Sequence, residues 1–175
     1  TWVGGDVGNA NYLNLIAVPG TKGVAASSNH PGSRQNAATW TDNDGNFWMY
    51  GGYGYQGIIE TQKAGGILND LWKYDLSTGY WTWVGGDVGN ANYLNLIAAP
   101  GTKGVAASSN HPGGRSFANT WTDNDGNFWL FAGEGYQGIS ENQKAEGKLN
   151  DLWKYEVDQS SSFTTNSSEI LGIIY

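Results

Sequence analysis

The chain has 175 residues and a formal charge of −7, from 9 basic and 16 acidic side chains. That balance, with no basic stripe, disfavours a nucleic-acid partner, and no apolar run reaches the length of a membrane span. The 27 glycines with 9 Trp, 10 Tyr and 5 Phe predict short strands, tight turns and a core of large flat rings rather than helices. The absence of cysteine removes disulfides, thiolate metal sites and thiol nucleophiles together.

In chain order, Thr1-Trp2-Val3-Gly4 is a strand candidate, and its letters return as Thr82-Trp83-Val84-Gly85, 81 residues on. The offset holds without a gap. Arg34 falls on Arg115, Trp48 on Trp129, and Asn69-Asp70-Leu71-Trp72-Lys73-Tyr74 on Asn150-Asp151-Leu152-Trp153-Lys154-Tyr155. A repeat of this length predicts one supersecondary unit stacked on its copy, neither able to bury its apolar face alone. Two copies are fewer than such arrays normally need.

In the first unit a long connection, Gly5 to Gly32, precedes a strand at Ala37–Thr41. Asp42-Asn43-Asp44-Gly45-Asn46 makes a turn around Asp-Gly, and Phe47-Trp48-Met49-Tyr50 completes a hairpin closed by Gly51-Gly52. A second long connection runs from Gly54 to Gly66. The third strand is Asp70–Asp75, with Trp72 and Tyr74 alternating against Leu71 and Lys73. After Ser77-Thr78-Gly79 comes the fourth, Tyr80–Val84, with Trp81 and Trp83 on one face. Four antiparallel strands per unit make one twisted sheet. The second unit keeps the pattern to Tyr155, with Ala132-Gly133 for Gly51-Gly52 and Glu156 for Asp75. Then Gln159-Ser160-Ser161-Ser162 replaces Thr78-Gly79-Tyr80-Trp81, so its fourth strand is not recognisable. Thr1–Gly4, conversely, is a fourth strand with no unit before it.

The ordered set of Arg34 ahead of strand one, Gly51-Gly52 ending strand two, Asn69–Asp75 in strand three and Trp81 in strand four resembles a kelch blade. The two units together resemble the tandem kelch-type arrays of bacterial secreted and surface proteins. The resemblance implies an all-β fold of β-propeller blades packed radially around a channel. It divides the chain into 1–6, strand four of a preceding or neighbouring blade; 7–86, a first blade; 87–158, a second blade lacking its own fourth strand; and 159–175, a Ser/Thr-rich tail with an apolar C-terminal strand. Two blades cannot close on each other. The expectation is head-to-tail self-assembly by strand exchange, as a ring or, where the rotation does not close, a filament. Trp2, Val3, Trp153, Tyr155, Ile170, Leu171, Ile173 and Ile174 are the expected junction residues. The alternative is a fragment of a larger propeller, since a chain opening on Thr1 reads as a processed product or a piece of something longer.

In a propeller both long connections lie on one face, and irregular loops of that length carry function or disorder. Tyr12, Asn14, Tyr55 and Gln56, with their copies Tyr93, Asn95, Tyr136 and Gln137, suit stacking on and hydrogen bonding to a glycan or protein. The plainer reading is that these tyrosines pin the loops to the blade. The turn Asp42–Asn46, repeated as Asp123–Asn127, has oxygen ligands at alternate positions, as Ca²⁺ sites do. Its glycine is misplaced for an EF-hand loop, so a hairpin turn is the better reading; it also partly resembles the Asp-box hairpin of sialidase-type propellers. His30 and His111 each precede a proline without neighbouring carboxylates and read as loop residues. Arg34, Arg115, Asp70 and Asp151 resemble structural kelch positions, expected to bond backbone between adjacent blades.

No phosphate-binding loop, Ser–His–Asp set or arginine cluster is visible, and the copper-radical oxidases that share the kelch fold need a cysteine this chain lacks. The expectation is a non-enzymatic module, extracellular or at a bacterial or archaeal cell surface, with no cofactor or metal. Its expected partners are other copies of itself, a surface protein or a glycan, with no nucleic acid and no membrane insertion. A carbohydrate-binding propeller, gaining avidity from repetition, is the alternative.

Overall fold

The computed structural model describes residues 1, 3, 16–55, 65–88, 96–136 and 146–157. These form two antiparallel sheets, with no helix among them. The first sheet holds β1 (Arg34–Gln35), β2 (Ala38–Thr41), β3 (Phe47–Tyr55), β4 (Gly65–Asp75) and β5 (Tyr80–Gly85). β1 and β2 lie end to end along β3, so the sheet is four strands wide. Between them the ladder bulges: Asn36 has φ 55°, and opposite it Gly51 and Gly52 have φ 62° and 95°.

That bulge corrects two expectations. The glycine pair does not end the strand, because left-handed residues on both sides let the ladder bend and resume. β3 therefore runs on to Tyr55 and β4 begins at Gly65, which shortens the connection expected from Gly54 to Gly66. Arg34, expected ahead of the first strand, is in the ladder opposite Gly54.

The second sheet repeats the design with β6 (Arg115–Ser116), β7 (Asn119–Thr122), β8 (Phe128–Tyr136) and β9 (Glu146–Tyr155). Its bulge uses Phe117, Ala132 and Gly133 at φ 57°, 60° and 105°. Among the described residues no strand pairs with the outer edge of β9.

Strand alternation gives each sheet two unlike faces. In the first, Ala38, Trp40, Trp48, Tyr50 and Leu71 are cross-strand neighbours on what we call the front, while Phe47, Met49, Trp72, Tyr74 and Trp81 share the back. In the second, Trp121, Trp129, Phe131 and Leu152 form the front and Phe128, Leu130, Trp153 and Tyr155 the back. The core is where the front of the first sheet meets the back of the second. Ala38, Trp40, Trp48 and Tyr50 bury against Phe128 and Leu130, fringed by Leu71, Val84, Ala118, Trp153 and Val157. Trp40 stacks on Phe128 at 5.4 Å and 15°, and Trp48 meets the same ring edge-on at 5.4 Å. Burying a ring such as Phe128 contributes roughly 2 kcal/mol. Polar bonds fix the register of the two sheets: Trp40 Nε1 donates to the Trp129 carbonyl at 3.0 Å, the Tyr50 hydroxyl to that of Pro112 at 2.8 Å, and Thr120 Oγ1 to that of Thr39 at 3.1 Å.

Candidate functional site

The charged residues singled out in the sequence serve to hold each sheet together. Arg34 forms a bidentate pair with Asp70, at 2.5 and 2.7 Å, both side chains buried. Its remaining donors reach the carbonyls of Gly32 and Gly51, and the Trp72 indole donates to Asp70 at 2.6 Å. Arg115, Asp151 and Trp153 repeat the set with Gly113 and Ala132. These bonds were expected to run between neighbouring blades; each set instead closes within its own sheet. The arginine and the aspartate stand on strands that flank a shared neighbour, β3 in the first sheet and β8 in the second, and the planar fork reaches across it to the carboxylate. Burial alone would raise the Asp151 carboxyl, but the bonds from Arg115 and Trp153 hold it below the usual range. Each carboxylate thus accepts three hydrogen bonds from fixed donors, which hold it in place.

The Asp42 turn is likewise closed on itself. The Asp42 carboxylate accepts from the amides of Asp44 and Asn46, from Asn46 Nδ2 and, at 2.8 Å, from the Trp48 indole. Asp123 repeats this with Asp125, Asn127 and Trp129, and these bonds, the indole's foremost, lower its carboxyl to about 2. Each carboxylate positions its hairpin and one tryptophan, Trp48 in the core and Trp129 on the front of the second sheet. Among the described residues no three His, Asp or Glu gather as a metal site. His30 and His111 each lie in a two-residue backbone pairing, with Val18 and Ala99 respectively.

The candidate site lies on the faces left open. The internal contact is front against back, and each half has a copy that the other sheet does not cover. On the front of the second sheet Trp121 is 45% exposed, Phe131 40% and Leu152 53%, although their counterparts Trp40 and Tyr50 are buried and Leu71 lies at the core's fringe. Trp121 lies flat on Trp129, at 5.7 Å and 5°. On the back of the first sheet Phe47, Met49, Tyr74 and Trp81 are half-buried around the fully buried Trp72, with Phe47 and Trp81 edge-on at 6.1 Å.

A second feature flanks the first sheet. Residues 21–29 fold into a turn clipped to the outer edge of β5: the Gly23 and Ala26 amides donate to the carbonyls of Trp83 and Trp81, and Asn29 Nδ2 bonds both Trp81 and Val24. Lys22 Nζ lies 5.1 Å over the Trp83 ring. The copy at 102–110 has the same turn, with Gly104 at φ 80° like Gly23 and Asn110 Nδ2 on the Val105 carbonyl like Asn29 on Val24.

The residues expected at junctions and loops fall in different places. Val3 is 78% exposed. Trp153 and Tyr155 lie on the back of the second sheet: Trp153 packs at the fringe of the core, and Tyr155, 5.9 Å from Trp48, lies at the rim of the internal contact and is 43% exposed. The period of two puts them there, and the same alternation turns Trp121, Phe131 and Leu152 outward, which the sequence reading missed although the burial of their copies would have followed from it. Tyr55 is half-buried at the end of β3, and Tyr136 is buried with Ile67 and Leu96. Trp2, Tyr12, Asn14, Gln56, Tyr93, Asn95, Gln137, Ile170, Leu171, Ile173 and Ile174 lie outside the described residues. No family model matches the chain, and no curated protein matches it in sequence.

Proposed function

We propose that each sheet is a kelch-type propeller blade and that the chain is a non-enzymatic extracellular module that joins copies of itself head-to-tail. One observation carries this reading: the internal contact is heterologous, and its front half recurs exposed on the second sheet, while the matching back recurs on the first sheet with its rim of Phe47, Met49, Tyr74 and Trp81 half-buried around Trp72. A surface that differs from its complement and recurs on the same molecule propagates into a ring or a filament. The new contact is a looser copy of the internal one. Asn119 stands for Ala38, Phe131 for Tyr50 and Ala132 for Gly51, so it lacks one hydrogen bond and adds a Cβ where the bulge meets its neighbour. Association is therefore concentration-dependent.

Light scattering across a concentration series tests this. The expected result is a mass that climbs with concentration for the wild type and stays at one chain for Trp121→Asp, which puts a charge into the exposed front. A wild-type mass of one chain throughout overturns self-assembly and leaves the faces to blades of one longer polypeptide. The stacked pair of Trp121 and Trp129 supports a second reading, a platform for a sugar ring. A glycan array gives signal lost in Trp121→Ala if that reading is correct, and none if it is not.

A further inference from the structure

Clip and edge have the same design in both units, but only the first holds a strand. In that unit β5 is gripped from both sides. Its inner edge pairs with β4, Trp83 opposite Trp72 and Thr82 opposite Lys73. Its outer edge gives the carbonyls of Trp83 and Trp81 to Gly23, Ala26 and Asn29, while Lys22 covers the Trp83 ring. In the second unit the turn 102–110 is already shaped. It hangs from the same root, Ala99 pairing with His111 as Val18 does with His30, and Tyr136 donates to Gly114 as Tyr55 does to Ser33. Yet among the described residues the amides of Gly104 and Ala107 have no acceptor, Lys103 has no ring beneath it, and the second amide hydrogen of Asn110 has no carbonyl. Asn29 is buried beneath its strand, whereas Asn110 is half-exposed.

We infer that the turn Gly101–His111 and the β9 edge at Leu152–Lys154 form a slot for an extended Trp-Val-Gly strand of a second copy, its Thr1-Trp2-Val3-Gly4, with Lys103 over the incoming indole. This rests on the head-to-tail reading and names the recognition element within it. The chemistry of the slot selects the occupant. Gly104 matches Gly23, so its amide is set for the carbonyl of a residue in the place of Trp83, and Trp2 is the copy of Trp83. An ammonium 5–6 Å above an indole selects tryptophan over aliphatic side chains. Val3 corresponds to Val84, which packs against the core between the sheets; at 78% exposure Val3 is uncovered in the free chain. One docking event would bury Val3 and the exposed front together, because the strand that completes the second sheet belongs to the copy whose back covers it.

A labelled peptide of sequence Gly-Tyr-Trp-Thr-Trp-Val-Gly-Gly, that of residues 79–86, tests the slot, titrated by fluorescence anisotropy into protein held monomeric by dilution or by Trp121→Asp. The expected result is saturable binding that Lys103→Ala weakens about two- to fivefold, that Lys22→Ala in the occupied clip leaves unchanged, and that a peptide with both tryptophans replaced by threonine lacks. Amide hydrogen exchange should slow at 101–111 on binding, towards the protection of 20–30. Absence of binding, or binding indifferent to Lys103, overturns the inference. So does protection of 101–111 in the peptide-free monomer, which would mean that residues 158–175 of the same chain fill the slot. The two readings fail separately: a strictly monomeric protein that binds the peptide keeps the slot and loses self-assembly, and an assembled protein with 101–111 unprotected does the reverse.

Discussion

Tyr50 shows how much of the contact between the sheets depends on single polar atoms. Its ring belongs to the core, burial pushes its hydroxyl well above the ordinary tyrosine value, and the proton is spent on the carbonyls of Pro112 and Gly113. Tyr50→Phe keeps the ring and strands those carbonyls, so urea unfolding should show a loss of about 1 kcal/mol. Trp40→Ala removes a stacked indole as well as a hydrogen bond across the sheets and should cost about 3–5 kcal/mol. The aspartate turns make the protein acid-sensitive in a defined window. The Asp123 carboxyl has an ordinary value of 3.8 and a folded value of about 2, so its stabilisation is complete above 3.8 and is lost as pH falls through 2. For Asp42 burial acts upward, but the bonds from Trp48 and Asn46 prevail and place its window on the same side. Thermal melts should therefore fall steeply between pH 4 and pH 2, and Asp123→Asn should flatten part of that slope.

At the level of elements, the bulge between β1 and β2 decides how closely a neighbour can approach. A Cβ at Gly51 would lie 2.6 Å from the Arg115 carbonyl of the other sheet and 2.8 Å from the Leu68 carbonyl of its own. Ala132 has the same left-handed backbone and is half-buried. Gly51→Ala should cost about 2 kcal/mol or more, from both strain and clash. Ala132→Gly should leave the fold intact and raise association in the light-scattering series, since it restores the closer approach; unchanged association would place the copy-to-copy contact elsewhere. The strand order was legible in the sequence because Asp-Gly, Ser-Thr-Gly and the alternating aromatics are local signals. The extension of β3 through two glycines was not, because a bulge depends on what faces it across the ladder. The partnership of Arg34 with Asp70 was missed for a similar reason: both were picked out separately, 36 positions apart, and only the pairing of β3 with its two neighbours brings them together.

For the whole molecule, periodicity placed aromatic residues on two faces per sheet but could not say which faces would meet. Front against back follows only once the sheets are seen together, and it moved the candidate surface from Trp153 and Tyr155 to Trp121, Phe131 and Leu152. The clip carries a kinetic consequence. Each sheet is a run of local hairpins, but Asn29 must find Trp81 across 52 residues, so the clip closes after the strands it grips. Until then β5 is a free strand facing two nearly identical receptors, its own and the 101–111 turn of any neighbour. Refolding at high concentration should trap chains whose β5 has entered another molecule, seen as a slow-dissociating dimer fraction that grows with protein concentration during refolding and disappears on refolding at high dilution. The near identity of the two copies, which made the repeat easy to recognise, would then also be the source of its errors.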